Sequence, residues 1–284
     1  MIHITDKTLA CLDKLPHNKF YLSKFLNFLI EMEVDAIELS EKMHDLLSPL
    51  PKYPTYILRP EKTRIQGLDD ALCGDYLQTF KHLKSNFEFC PENRFHCATA
   101  LAAEWVISGA GKNIVSSFSG IGGFAATEEL VMILKINGLR KPNKTYNFLP
   151  EMTKLFSKII KKKIPKNKPI IGSEIFEVES GIHVDGILKN PASYEPFLPE
   201  SVGQKRKIVL GKHSGTASIR AKLAELKIKC ADENIPHILE QVKIKAAQKK
   251  GEVSDREFVK IFYSKCHCFI HSSNPQHSSF CYKT

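Results

Sequence analysis

Two periods of apolar positions organise the first 165 residues. IHITD (2–6) alternates, as a strand with one covered face does, and KFYLSKFLNFLIEMEV (19–34) repeats its apolar positions at helical spacing. DAIELS (35–40) returns to a strand. This β–α–β order predicts a parallel sheet covered by helices. PTYILRP (54–60), FEFCP (87–91) and NIVSSFSGIGG (113–123) are further strand candidates, the last running into a glycine-rich turn. CATALAAEWVISGAG (97–111) predicts a helix that stops at Gly109 or Gly111, and ATEELVMILKING (126–138) one that stops at Gly138. LPEMTKLFSKIIKK (149–162) predicts another, with Pro150 in its first turn.

The texture changes after Pro165. KPIIGSEIFEVESGIHVDG has few helix signals and several glycines. Helical spacing returns in IRAKLAEL (219–226) and ENIPHILEQVKIKAAQKKG (233–251), and Ser254 with Glu257 forms a capping box opening one more helix. From Ser264 on there is no periodicity, which predicts a disordered tail. A full eight-stranded α/β barrel takes roughly 250 residues. The five strand candidates therefore make a small open sheet or a barrel with pieces missing. The expected class is α/β: a partial or degenerate TIM-barrel-like region over 1–148, a mainly helical linker and C-terminal region over 149–263, and a tail over 264–284.

Composition narrows the setting. Hydrophobic residues make up 43% of the 284 and charged residues 25%, ordinary for a globular chain. No apolar run approaches the ~20 residues of a membrane span. The first residues show no basic segment followed by an apolar one, so no secretory signal is expected and the cytoplasm is the default. Eight scattered cysteines without a CxxC pair then predict free thiols. The net charge of +10 owes much to seven lysines between Lys154 and Lys168. That run is a solvated helix face with a basic linker, or an attractor for an anionic cofactor such as coenzyme A or an acidic partner. One interleaved aromatic, Phe156, and no accompanying motif argue against nucleic acid.

The chemistry concentrates in GSEIFEVESGIHVDGILKNPASYEPFLPESVG (172–203) and IVLGKHSG (208–215). Both resemble the homocitrate synthase and 2-isopropylmalate synthase family. ESGIHVDGILKNP and YEPF-x-PESVG are similar to its linker region almost word for word, and ITDKTL, EVDAIELS and ATALAAEWVISGAGKNIVSSFSGIGG are similar to barrel segments. The resemblance is strong over 140–215, moderate over 90–140 and weak before that. It implies a TIM-barrel acyltransferase that condenses acetyl-CoA with a 2-oxo acid and then hydrolyses the thioester. A divalent metal in the barrel mouth holds the 2-oxo acid. A linker His and Tyr handle protons and enter a partner's barrel. His183 and Tyr194 match that pair, including the eleven-residue gap, and are the expected catalytic residues. The bland alternative for His183 is a structural histidine.

The barrel half departs from the family. Where the family carries an Arg and a metal-binding Asp, this chain has Ala10 and Cys11; Asp6 matches only the motif's first Asp. The family's His-x-His falls on Cys90 and Glu92, and its Asn ligand near Thr127. A hard cation would not choose this set, so no metal is expected here. The pattern is that of a chain keeping the residues offered to a neighbour while losing those of its own barrel. It resembles the omega part of homocitrate synthases divided into alpha and omega chains, associated with nitrogen fixation, where homocitrate is a ligand of the nitrogenase cofactor. The expected partner is an alpha-type barrel subunit that brings the divalent metal; the substrates are acetyl-CoA and 2-oxoglutarate, with neither nucleic acid nor membrane involved. The alternatives are a subunit of a 2-isopropylmalate-type synthase and a non-catalytic regulatory or scaffolding paralogue. Residues that hold coenzyme A are not assigned. Gly211-Lys212-His213-Ser214-Gly215 reads as a structural loop, with an approach of Lys212 and His213 to coenzyme A phosphates as the other choice. GIGG (120–123) lacks the spacing of a nucleotide fingerprint and fits a βα turn. The Cys/His-rich tail, from Cys266 to Cys281, has no zinc-finger spacing.

Overall fold

The computed structural model describes residues 2–16, 18–58, 63–67, 87–140 and 145–270. They form two compact units: Met1–Ile175 with Pro199–Gln204, and Phe176–Leu198 with the chain from Lys205 onward.

The first unit is α/β. Its strands are β1 (His3–Asp6), β2 (Ala36–Glu38), β3 (Thr55–Ile57), β4 (Arg64–Gly67), β5 (Glu88–Pro91) and β6 (Asn113–Ser116). All neighbours run parallel, in the order β3-β2-β1-β6-β5-β4. The first strand thus pairs with the last, His3 opposite Asn113 and Asp6 opposite Ser116. Among the described strands this is the cyclic order of a barrel, broken once, between β3 and β4. The sheet is curled. β2 and β4 are four strand steps apart, about 19 Å in a flat sheet, yet Arg64 on β4 donates to Glu38 on β2 at 2.7 Å. Arg64 also reaches Glu88 on β5 at 2.8 Å, and Thr5 donates to the same carboxylate at 2.9 Å. The concave face is polar; the other face carries the apolar positions, with Phe89 against Trp105 at a ring distance of 4.7 Å.

The helices here are α1 (Thr8–Cys11), α2 (Lys19–Glu31), α3 (Glu41–Leu47), α4 (Ala98–Ile107), α5 (Thr127–Ile136) and α6 (Leu149–Ile160). α2 buries Leu22, Phe25, Leu26 and Leu29 on one face. Phe25 stacks on Phe156 of α6 at 5.4 Å, and both rings meet Phe118. The boundary drawn at 148 from the sequence is therefore corrected: α6 belongs to the first unit, because its apolar face (Met152, Leu155, Phe156, Ile159) is a wall of that core.

The second unit holds a two-stranded parallel pair, β7 (Glu177–Val178) and β8 (Lys207–Ile208), and α7 (Gly181–Lys189), α8 (Thr216–Glu225), α9 (Ile235–Lys249) and α10 (Asp255–Ile270). Leu210, Ile219, Leu223, Ile238, Val242, Val253 and Phe258 are among its buried core residues. The capping box of α10 forms as read: Ser254 N–H donates to Glu257 Oε2 at 2.9 Å and Glu257 N–H to Ser254 Oγ at 3.4 Å. One expectation is corrected. α10 continues to Ile270, so the tail does not begin at 264; His271, His277 and Cys281 lie outside the described residues, as does Cys73. The ESGIHVDG segment, which has few helix signals in its sequence, leads into α7 at Gly181.

Candidate functional site

α7 has two glycines and no side-chain cap at Ser180, so local propensity does not make it a helix. Packing does: Val184 and Ile187, three residues apart, are buried beneath it. That burial fixes which side faces water. His183 lies in the first turn on the exposed side, beside Ile182, which is 78% exposed.

Tyr194 follows a 3-10 turn, Pro191–Ser193, and is itself 46% exposed. Its ring folds back to 5.5 Å from the His183 imidazole, centroid to centroid. Gly186 makes this approach feasible. It sits one turn after His183, and a Cβ there would stand 2.6 Å from the Tyr194 hydroxyl, inside its van der Waals contact. The segment is fastened on the far side: Glu195 accepts two hydrogen bonds from Arg206, both 2.7 Å, and Phe197 meets Phe176 edge-on at 5.7 Å. Two polar groups able to exchange protons thus stand together on an open face.

The sequence did not single out Gly186, Glu195 or Arg206. A glycine three residues after a histidine on a helix face, with a tyrosine downstream, is the signal that would have found the first. Lys212 and His213 are both exposed, and Lys212 lines a cleft with Lys250 and Gly251 at the C-terminal end of α9.

The first unit's concave face is the other place to look. A divalent cation does not fit the residues at the family's ligand positions. Ala10 offers no donor atom. Burial pushes the Cys11 and Cys90 thiols up to about 11, against the nearby Lys7 ammonium, so both stay neutral at physiological pH. Lys7 lies over the Phe124 ring at 4.1 Å and 3.8 Å from Glu38, placing a fixed positive charge there already. Glu92 accepts from Gln66 at 2.7 Å, and the Thr127 hydroxyl donates to Asp6 at 2.5 Å. Among the described residues, no three His, Cys, Asp or Glu side chains converge.

A family model, "Homocitrate synthase post-HMGL domain-like", matches residues 170–250, the stretch holding His183, Tyr194 and the 211–215 loop. The homocitrate synthase omega subunit of Clostridium pasteurianum is 35% identical over 186 residues, 64% of this chain and 52% of that protein. The chain is similar to members of the homocitrate synthase and 2-isopropylmalate synthase family. Homocitrate synthase AksA of Methanothermobacter thermautotrophicus is 37% identical over 197 residues, 67% of this chain and 49% of its own length. A 2-isopropylmalate synthase of Methanocaldococcus jannaschii is 42% identical over 267 residues, 85% of this chain and 51% of its own length, so family likeness extends into the first unit. The chain spans about half the length of these relatives.

Proposed function

We propose that this chain is a subunit of a homocitrate synthase, presenting His183 and Tyr194 to the barrel of a partner subunit. One observation carries the reading. The imidazole on α7 and the phenol that folds back to it stand together and exposed, while the family's ligand positions on the chain's own concave face hold neutral thiols beside the Lys7 ammonium. An omega subunit among the relatives supports a divided enzyme.

The chemistry is a Claisen condensation. The imidazole of His183 takes a methyl proton from acetyl-CoA. The resulting carbon attacks the ketone carbon of 2-oxoglutarate; a divalent metal in the partner's barrel would hold that 2-oxo acid and polarise its ketone. The ketone oxygen receives a proton, with Tyr194 orienting the exchange, and water then cleaves the thioester to release coenzyme A and homocitrate.

The test is thiol release from acetyl-CoA by the full chain, a metal-binding barrel subunit, and the two mixed, with 2-oxoglutarate and 2-oxoisovalerate compared. Activity only in the mixture is expected, with His183→Ala lowering kcat by about 10²–10⁴-fold. Preference for 2-oxoisovalerate would move the assignment to a 2-isopropylmalate-type synthase. No gain on mixing, or an indifferent His183→Ala, would leave a non-catalytic paralogue.

A further inference from the structure

We propose that Glu179 and the Gly211–Gly215 loop form a positioning clamp for His183; this rests on the role proposed above for that histidine. Nothing in α7 itself fixes where the helix begins. Ser180, its N-cap residue, makes no side-chain cap, and the helix opens on a glycine, Gly181. The starting point is set from outside by three contacts.

The first is the Glu179 carboxylate, two residues before α7. It accepts the His213 main-chain N–H at 2.8 Å. The same carboxylate lies directly against Gly211, whose missing Cβ would collide with Oε1. The second is the main-chain carbonyl of Glu179, which accepts the hydroxyl of buried Ser218 on α8 at 3.2 Å. The third is backbone on backbone. Gly181, the first residue of α7, lies on Gly215, the N-cap of α8; a Cβ on Gly181 would stand 2.6 Å from the Gly215 Cα, and one on Gly215 would stand 3.0 Å from the Gly181 Cα. A side chain on Gly181 would displace the other helix, and one on Gly215 would press Gly181 back by a few tenths of an ångström. Ser214 closes the loop by accepting the Gly211 N–H at 2.9 Å.

The two motifs, ESGIH and GKHSG, are thus halves of one device. His213 contributes its main chain to it, and Lys212 and His213 leave their side chains exposed. The consequence for His183 is geometric. It follows Gly181 by two residues, each turned about 100° on a helix, so a shift at the helix start swings the imidazole. Misplacement by about 1 Å is worth about 10²-fold in rate.

The experiment uses the full chain assembled with a metal-binding barrel subunit. Gly215→Ala and Glu179→Ala are each expected to lower kcat about 10–100-fold while leaving KM for the 2-oxo acid unchanged. Glu179→Gln keeps an acceptor for the His213 N–H and should recover most of the loss. In a His183→Ala background the same substitutions should change kcat less than about 2-fold, because they act through a ring already removed. On the full chain alone, amide hydrogen exchange at 181–184 should quicken in Gly215→Ala and Glu179→Ala, with α9 keeping its protection. Equal losses with and without His183, or unchanged exchange at 181–184, would overturn the clamp. If His183→Ala itself leaves kcat unaltered, the catalytic role fails, and the exchange measurement still decides the clamp. If Gly215→Ala does not fold, the two Glu179 variants carry the same comparison.

Discussion

Gly186 is where a single hydrogen in place of a methyl shapes the His–Tyr pair. Gly186→Ala raises helix propensity by about 1 kcal/mol, so α7 should be at least as helical as before. Its Cβ nevertheless occupies the place of the Tyr194 ring. The expected outcome is a folded chain, by circular dichroism, whose Tyr194 and His183 ring protons no longer show mutual nuclear Overhauser effects. In the first unit the informative residues are Asp6 and Glu128. Burial pushes their carboxyls up to about 6 and about 7, outweighing the hydroxyl bonds to Asp6 and the Lys168 ammonium near Glu128. The folded chain therefore holds these protons at pH values where the unfolded chain, titrating near 3.8 and 4.5, has released them. Stability of this unit should fall as pH rises from about 4 to about 7, by at most about 3 kcal/mol per group. Denaturant midpoints followed by the fluorescence of Trp105, the sole tryptophan, read this unit directly. Glu128→Gln should flatten the upper part of the slope. His183 and Tyr194 were picked out in the sequence by the resemblance of their segment to the family's linker region. Their meeting was not, because it depends on a glycine and on an ion pair to Arg206, neither of which carries a chemical signal.

Among elements, the helices with one apolar stripe were legible and those fixed by contacts were not. α2, α5 and α6 announce themselves by periodicity and α10 by its cap. Ser254→Ala should cost about 1 kcal/mol, seen as a lower unfolding temperature for the second unit with Trp105 fluorescence unchanged. α7 escaped notice because its glycines serve close packing against Tyr194 and Gly215. β4 escaped for the opposite reason. Arg64 lies on the polar concave face, where it meets Glu38 and Glu88, and Gln66 is exposed, so RIQG lacks the apolar alternation that marks a strand.

For the whole chain, the feature that governs association is the break in the sheet. β3 and β4 each end the hydrogen-bonded order and leave a ladder edge unpaired among the described strands. Unpaired edges invite another chain, and Tyr53 and Leu58, flanking β3, are about half exposed. Light scattering after size exclusion should therefore show the isolated chain above its 32.1 kDa monomer mass. Adding a synthase barrel subunit should convert it to a defined hetero-oligomer. A monodisperse monomer that ignores such a subunit would contradict both expectations. The sequence left a small open sheet and a barrel with pieces missing as alternatives, since strand order follows from pairing between distant segments rather than from any local pattern.

The pairing of β1 with β6 also sets a schedule. His3 and Asn113 are 110 positions apart (113 − 3), so during synthesis the first strand emerges with one of its two neighbours not yet made. Until Ser116 leaves the ribosome, β1 has β2 on one side and an open ladder on the other. Contacts this distant in sequence slow folding, because the intervening chain must be closed before they reward it. Refolding of the first unit, followed by Trp105 in a stopped-flow instrument, should take milliseconds to seconds rather than microseconds. Among the strands that end up paired on both sides, β1 thus waits longest for its second neighbour.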